Sequence, residues 1–140
     1  YYFGKSKEGL LLEGVKLIGE EVFGLNPARV DLWQQGEIAE SVILTRAFMQ
    51  RSTHISAVYL VHRNADSEIG RTIRQLENDY IQKLKRFFPK ANEPAIEALF
   101  GLFLGLVFAP NLSDEAVRTA VSVVLQLSNQ PTFSSASVSS

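Results

Sequence analysis

The sequence predicts an all-α protein, an antiparallel bundle of about six helices, and two observations lead to this fold class. Apolar residues recur at intervals of three and four along nearly the whole chain, a spacing that keeps them on one face of an α-helix. No isolated run of about five to eight β-branched residues lies between turn signals, so the sequence predicts no strand.

The first two predicted helices cover most of the first third of the chain. Helical periodicity extends from Lys7 to Phe23, after the capping residue Ser6. A second helix is predicted from Pro27 to Arg51, because proline is well suited to the first helical position. The apolar stripe of this second helix consists of Ile38, Val42, Thr45 and Met49.

The next two helices are separated by a polar break over residues 64–67. The third predicted helix is short and starts after Ser52 or Thr53, either of which can cap it. The fourth is long and ends at Phe88, because Pro89 cannot continue it. The stripe of the third helix is Ile55, Val58, Tyr59 and His62, and the inner seam of the fourth is Ile69, Ile73, Leu76, Tyr80, Leu84 and Phe87.

The last two helices have the clearest start signals. Asn92 caps the fifth, with Pro94 in its first turn, and Ser113 caps the sixth. A serine-rich stretch follows this helix and has too few apolar residues to offset the entropy lost on ordering. Residues 129–140 are therefore predicted to be a disordered tail.

The composition is that of one globular domain and excludes several classes of function. The chain has 140 residues, 46% hydrophobic and 21% charged, with a net charge of −1 and no cysteine. The absence of cysteine excludes a disulfide framework and a cysteine nucleophile. A net charge near zero is unlike a stand-alone nucleic-acid binder. A mean hydropathy of +0.03 with so little charge indicates apolar surface that a partner covers.

The sequence carries neither a targeting signal nor a membrane span. The N-terminus lacks the basic and apolar regions of a signal peptide, and without an initiator methionine the chain is expected to be part of a longer protein. The longest apolar run, Ala98 to Ala109, is about half of the ~20 residues that cross a bilayer.

That apolar run has no polar face, which a helix on the surface of a monomer needs. Gly101 and Gly105 share one face and permit the close approach of another backbone. We expect the last two helices to pack on the core on one side and on the same pair in a second copy on the other. The alternative is a helix buried at the centre of a monomeric bundle. The predicted dimer interface consists of Ala98, Gly101, Leu102, Gly105, Phe108, Ala116, Ala120, Val124 and Leu127.

The first eleven residues are Tyr1-Tyr2-Phe3-Gly4-Lys5-Ser6-Lys7-Glu8-Gly9-Leu10-Leu11. This segment resembles the junction that ends the DNA-binding helix-turn-helix of TetR-family transcriptional regulators. In that family an aromatic pair and a phenylalanine close the recognition helix, and a Ser-Lys-Glu-x-Leu segment starts the next helix. The order and lengths of the predicted helices also look like the family's effector-binding and dimerisation domain.

The resemblance implies that residues 1–6 are the remnant of a helix-turn-helix domain and that residues 7–128 form a ligand-binding and dimerisation domain. By family analogy Tyr1, Tyr2 and Lys7 lie near DNA phosphates, and operator DNA is bound only through the absent N-terminal domain. The implied function is that of a cytoplasmic, homodimeric repressor without a cofactor. A small-molecule effector in the helical pocket shifts the first helix and thereby releases DNA.

A pocket for such an effector is mostly apolar with a few converging polar groups. Tyr80 is the strongest candidate, because a tyrosine hydroxyl in a stripe of Ile and Leu needs a partner when buried. Alternatively, Tyr80 is satisfied by a protein group at the core edge, Trp33 is a packing anchor, and Thr45 bonds to its own helix. The predicted ligand-binding residues are Trp33, Thr45, Phe48, Met49, Tyr59, His62 and Tyr80.

The sequence predicts neither a metal site nor a catalytic centre. His54 and His62 lack partners at metal-ligand spacing, and no nucleophile elbow, phosphate loop or dinucleotide fingerprint is present. The basic residues at the end of the fourth helix, among them Lys83 and Arg86, are explained by the helix dipole. A competing hypothesis is a helical scaffold domain without a small-molecule pocket, whose apolar last helices dock a different protein.

Overall fold

The computed structural model describes residues 7–23 and 27–128, which form seven α-helices and contain no strand. The all-α prediction is thus confirmed for this part of the chain. The predicted N-terminal remnant, including Tyr1 and Tyr2, and the predicted tail lie outside the described residues. The helices are α1 (Lys7–Glu21), α2 (Pro27–Gln34), α3 (Ile38–Arg51), α4 (Thr53–His62), α5 (Glu68–Phe87), α6 (Glu93–Phe108) and α7 (Asp114–Ser128).

Helix α3 lies at the centre of the bundle, because α2, α4, α6 and α7 all pack on it. Helix α1 packs on α4 and α5, and α5 in turn packs on α4 and α6. None of the helices in the described ranges combines the length and apolar character that crossing a bilayer requires.

The prediction of one continuous helix from Pro27 to Arg51 was wrong, which is why seven helices are found instead of six. The chain breaks at Gly36, whose φ of 80° lies in the left-handed region that glycine tolerates best. The break is closed locally, since the Glu37 N–H donates to the Leu32 carbonyl at 2.7 Å. Residues 34–37 are Gln-Gln-Gly-Glu and include no apolar residue, so this polar break, and not the apolar stripe that starts at Ile38, marks the turn in the sequence.

Most predicted helix ends are confirmed. The side chains of Asn92 and Ser113 each accept a hydrogen bond of 3.0 Å, from the N–H groups of Ala95 and Ala116. Ser52 occupies the N-cap position of α4, but its side chain makes no capping hydrogen bond, so the predicted side-chain cap there was wrong. Helix α5 begins after Ser67, and its end agrees with the predicted stop before Pro89.

Arg46 joins the centre of the bundle to the turn between α6 and α7. Its guanidinium is buried and donates to the carbonyls of Leu106 at 2.7 Å, Ala109 at 2.5 Å and Leu112 at 2.9 Å. Carbonyls at a helix C-terminus lack partners within the helix and carry partial negative charge. A buried cation from α3 satisfies them here and fixes the direction in which α7 leaves α6.

One face of α6 is uncovered in the described part of the chain. Ala98, Gly101 and Gly105 are exposed, and a Cβ atom added at either glycine would meet no atom within 4 Å. The opposite face packs into the core through residues such as Ile96 and Val107. The arrangement therefore does not fit the alternative in which α6 is enclosed at the centre of a monomer. Contact with a second copy stays a prediction.

Candidate ligand-binding cavity

Tyr80 lies in the middle of α5 among four aromatic rings. The ring centroids of Phe103, Phe23, Phe100 and Trp33 lie 4.6, 5.7, 6.1 and 6.2 Å from that of Tyr80. The side chain is only 3% exposed, and its hydroxyl has no hydrogen-bond partner among the described residues. An unsatisfied buried polar group costs about 1–3 kcal/mol, so the position of Tyr80 calls for a partner.

The hydroxyl of Tyr80 can act as a hydrogen-bond donor. Burial raises its pKa above the ordinary value, because the negatively charged phenolate is poorly solvated in an apolar environment. The neutral hydroxyl keeps its proton and can also accept a hydrogen bond. Either a carbonyl or a carboxylate oxygen would therefore suit it as a partner.

A cavity of about 190 Å³ lies beside Tyr80, between α2, α3, α5 and α6. Because an engineered apolar cavity of about 150 Å³ holds a benzene molecule, this one has room for a single substituted ring. Phe87 and Gln34, which line the cavity on one side, are exposed, so that side faces the surface. The apolar part of the wall consists of Val22, Val30, Trp33, Tyr80, Phe87 and Phe103.

A second cavity of about 50 Å³ shares Trp33, Tyr80 and Phe103 with the first. Its remaining lining is apolar and includes Val42 from α3 and Leu99 from α6. The three shared aromatic side chains thus line both empty volumes.

The larger cavity has a cationic side. Arg29, Lys83 and Arg86 line it, and its described lining contains no acidic residue. Burial, and secondarily the charge of Arg86, lower the pKa of Lys83. The Nζ atom of Lys83 donates to the carbonyl of Phe23 at 3.3 Å and lies 5.9 Å from the centre of the Tyr80 ring. The cavity therefore combines apolar walls with three cationic side chains, of which Arg29 is paired with Glu21.

A polar network connects the cavity to the C-terminal end of α1. Arg29 Nη2 lies 2.6 Å from a carboxylate oxygen of Glu21, while Nη1 makes longer contacts of 3.4 Å with Thr45 Oγ1 and the Ser41 carbonyl. The Thr45 hydroxyl donates to the Glu21 carbonyl at 3.0 Å instead of bonding to its own helix. Two residues of the cavity wall therefore hold the last residue of α1.

The structure brings together three of the predicted ligand-binding residues, Trp33, Thr45 and Tyr80, in the wall of the larger cavity. The other four line neither of the two cavities around Tyr80: Phe48, Met49, Tyr59 and His62. A part for these four in ligand binding stays a prediction. Trp33 also anchors packing, since its ring meets that of Phe87 edge-on at 4.9 Å.

Tyr59 belongs to a second buried cluster, which meets the rings around Tyr80 through Phe23, whose ring centroid lies 5.8 Å from that of Tyr59. It donates a hydrogen bond to Glu77, which also forms an ion pair of 2.7 Å with Arg63, and it stacks on Phe108 with ring centroids 5.4 Å apart. Burial, and then the hydrogen bond to Glu77, raise the pKa of Tyr59. This cluster satisfies its own polar groups and joins α4 to α5.

Sequence reasoning missed the cationic side of the cavity. Arg29 lies four residues before Trp33, and Lys83 lies three residues after Tyr80, so helical spacing places each cation beside an aromatic wall residue. The helix dipole accounts for the basic residues Lys83 and Arg86 near the end of α5, but it does not account for their place in the cavity wall. Within the described residues no group of three or more His, Asp or Glu side chains is placed to hold a metal ion.

All nine residues of the predicted dimer interface are exposed or half-buried. Val123 and Leu127 of α7 are 48% and 42% exposed, so α7 presents apolar area at the surface. Lys7, the one predicted DNA-proximal residue within the described ranges, is exposed in the first turn of α1.

Comparison with known proteins identifies no relative: no family model, no curated protein and no solved structure matches the chain.

Proposed function

We propose that the chain is the ligand-sensing and dimerisation part of a TetR-like transcriptional repressor. Binding of a small molecule beside Tyr80 is coupled to the release of DNA by a helix-turn-helix domain ahead of Tyr1. The observation that carries the ligand-binding part is Tyr80, which lines a cavity of about 190 Å³ and whose buried hydroxyl has no partner in the described ranges. Assignment to a repressor comes from the resemblance of the first eleven residues to the end of such a DNA-binding domain.

The contacts of α1 support coupling between the cavity and DNA binding. The resemblance makes α1 the helix that follows the DNA-binding domain. Arg29 and Thr45 line the cavity and also hold Glu21 at the far end of this helix. A ligand that moves either wall residue therefore changes the anchoring of α1, and a shift of α1 changes the spacing of two DNA-binding domains in a dimer.

The exposed face of α6 and α7 supports dimerisation. The glycines of α6 leave room for the backbone of another helix, and Val123 and Leu127 supply apolar area on α7. A symmetric contact would cover the same patch on both copies. The scaffold hypothesis uses this face for a different protein and has no use for the cavity, so ligand binding distinguishes the two.

The direct test is a thermal-shift screen of the chain with a library of small metabolites. A ligand at 100 times its dissociation constant adds about 2.7 kcal/mol, which raises the melting temperature by roughly 10 °C in a domain of this size. Trp33 is the only tryptophan of the chain and lines both cavities, so each stabilising compound should also change its fluorescence.

A pair of variants on α2 locates the binding site. Val30 is half-buried and lines the larger cavity, so Val30→Phe should fill the cavity and abolish both the thermal shift and the fluorescence change. Leu32 is half-buried on the same helix but lines neither cavity, so Leu32→Phe should retain both. A compound that still stabilises the Val30→Phe variant binds elsewhere and contradicts the proposed site.

The repressor assignment is tested separately by sequencing the gene ahead of Tyr1. A helix-turn-helix domain there is expected. A domain of any other kind would overturn the repressor proposal while leaving ligand binding open to the thermal-shift screen. A library without any hit, together with a specific protein partner on α6 and α7, would favour the scaffold hypothesis.

A further inference from the structure

We propose that the ligand of the larger cavity is an anionic molecule with a single-ring apolar body, and that its acidic head group displaces Glu21 from Arg29. This inference rests on the proposed ligand-sensing function and names the chemical class of the effector. The relevant residues are Glu21, Arg29, Tyr80, Lys83 and Arg86.

The size and walls of the cavity specify the body of the ligand. A volume of about 190 Å³ accepts one substituted ring, and the aromatic side chains of Trp33, Tyr80 and Phe103 offer it edge-to-face and stacked contacts. Tyr80 lines the cavity, and its hydroxyl has no hydrogen-bond partner among the described residues. A ligand group that reaches this hydroxyl would supply the missing partner, whereas a purely apolar ligand would not.

The charges of the wall specify the head group. Among the described residues three cationic side chains and no acidic one line the cavity, and Glu21 neutralises Arg29 only while their ion pair holds, so the wall favours a carboxylate over a cation. The lowered pKa of Lys83 is consistent with a site for an anion, because burial and the neighbouring Arg86 both disfavour the positive charge of Lys83. A bound anion would offset the repulsion between Lys83 and Arg86.

Glu21 can be replaced at Arg29 at low cost. Among the described residues, the 2.6 Å ion pair with Glu21 is the short contact of the Arg29 guanidinium, and its contacts with Thr45 and Ser41 are 3.4 Å long. The Glu21 side chain is 22% exposed and returns to water when it is released, so no unpaired charge is left buried. One carboxylate then takes the place of another on Arg29, and the apolar contacts of the ring favour the ligand.

Replacement of Glu21 by the ligand head group weakens a second contact at the end of α1 in addition to the ion pair with Arg29. Lys83, which would also be drawn to the anion, donates to the carbonyl of Phe23 just beyond α1. Phe23 in turn packs on Tyr80, with ring centroids 5.7 Å apart. The head group thus competes with α1 for Arg29 and Lys83 together.

Calorimetric titration of the chain with matched pairs of single-ring compounds tests the class of ligand. The probes are benzoate, phenylacetate and 3-phenylpropionate, each compared with its primary amide. We expect at least one acid to bind about tenfold or more tightly than its amide, because the acid gains charge-assisted hydrogen bonds. An amide that binds as tightly as its acid overturns the anionic class, whereas ligand sensing itself still stands. Failure of all three acids up to about 10 mM also overturns this inference, and the library screen then decides separately whether the proposed function fails.

Glu21→Gln tests the competition, with Glu20→Gln as a control that makes the same charge change at the adjacent position. Glu21→Gln should tighten acid binding by about threefold to tenfold and leave amide binding unchanged, because the competing carboxylate is gone. Glu20→Gln should change neither. Equal acid affinity in the two variants contradicts the displacement of Glu21. If Glu21→Gln does not fold, the test uses Arg86→Met, which removes a cation at the exposed side of the cavity and should weaken acid binding. An unchanged acid affinity in Arg86→Met overturns the proposal.

Discussion

Arg29 and Glu21 form an ion pair with 2.6 Å between nitrogen and oxygen, and this pair joins the wall of the cavity to the last residue of α1. The two residues of this pair belong to different helices, Glu21 to α1 and Arg29 to α2. It brings together the two features that the proposed function requires, a place for a ligand and a helix whose position the ligand can change.

Replacing Tyr80 with phenylalanine should stabilise the ligand-free chain by about 1 kcal/mol, because it removes a buried hydroxyl that has no partner among the described residues. Tyr59→Phe is the matched control and should destabilise by about 1–3 kcal/mol, because it leaves the buried Glu77 carboxylate without the hydrogen bond from Tyr59. Urea unfolding measures both. A Tyr80→Phe variant less stable than the parent would show that the hydroxyl has a partner after all.

Stability should fall at high pH because of the same two tyrosines. Burial raises the pKa of both above the ordinary value of 10. Below pH 10 both the folded and the unfolded chain hold these protons, so the full contribution is present. As pH rises above 10, the unfolded chain releases protons that the folded chain retains, and stability is lost by up to about 1.4 kcal/mol per pH unit for each tyrosine.

The pH dependence is measured by urea unfolding at several pH values on both sides of pH 10. Tyr59→Phe and Tyr80→Phe should each flatten the slope above pH 10 by up to about 1.4 kcal/mol per pH unit. Identical slopes in the parent chain and in both variants would contradict the raised pKa values.

Gly101→Ala and Gly105→Ala separate the stability of one chain from that of a dimer. Neither added methyl group meets an atom of the same chain within 4 Å, so each should stabilise the isolated helix by about 1 kcal/mol. In a dimer packed on this face the methyl groups hold the two helices apart and should weaken association by about tenfold or more. Sedimentation equilibrium measures the dissociation constant. Unchanged association, together with the higher stability, would mean that the chain does not dimerise on this face.

Arg46→Met should destabilise the chain by about 3–5 kcal/mol, because three carbonyls lose charge-assisted hydrogen bonds. Arg51 lies on the same helix and is exposed, so Arg51→Met should change stability by less than about 0.5 kcal/mol. Denaturant unfolding of the two variants checks this difference. A cost below about 1 kcal/mol for Arg46→Met would refute the role given to this side chain.

Local signals in the sequence predict much of the fold. Asn92 and Ser113 mark helix starts because capping involves residues only three positions apart. The turn at Gly36 escaped prediction because a single glycine in a helical pattern does not by itself end a helix, and its positive φ is not evident from the sequence.

The cavity was harder to predict than the helices. Tyr80 stood out because its hydroxyl interrupts an apolar stripe, which is a property of one helix. The burial of Arg29 depends on Glu21, Ser41 and Thr45, which belong to other helices, and a pattern along one helix does not contain such contacts. The empty volume likewise results from packing between four helices.

The central claim, that the cavity beside Tyr80 is coupled to α1, is tested most directly by amide hydrogen exchange with a stabilising compound from the screen. The N–H groups of Val22 and Phe23 donate to the Ile18 carbonyl at 2.8 and 3.2 Å, and their exchange reports on the end of α1. We predict faster exchange at these two amides when the ligand is bound, although the chain as a whole becomes more stable. Unchanged or slower exchange there, with the ligand bound in the cavity, would contradict the coupling.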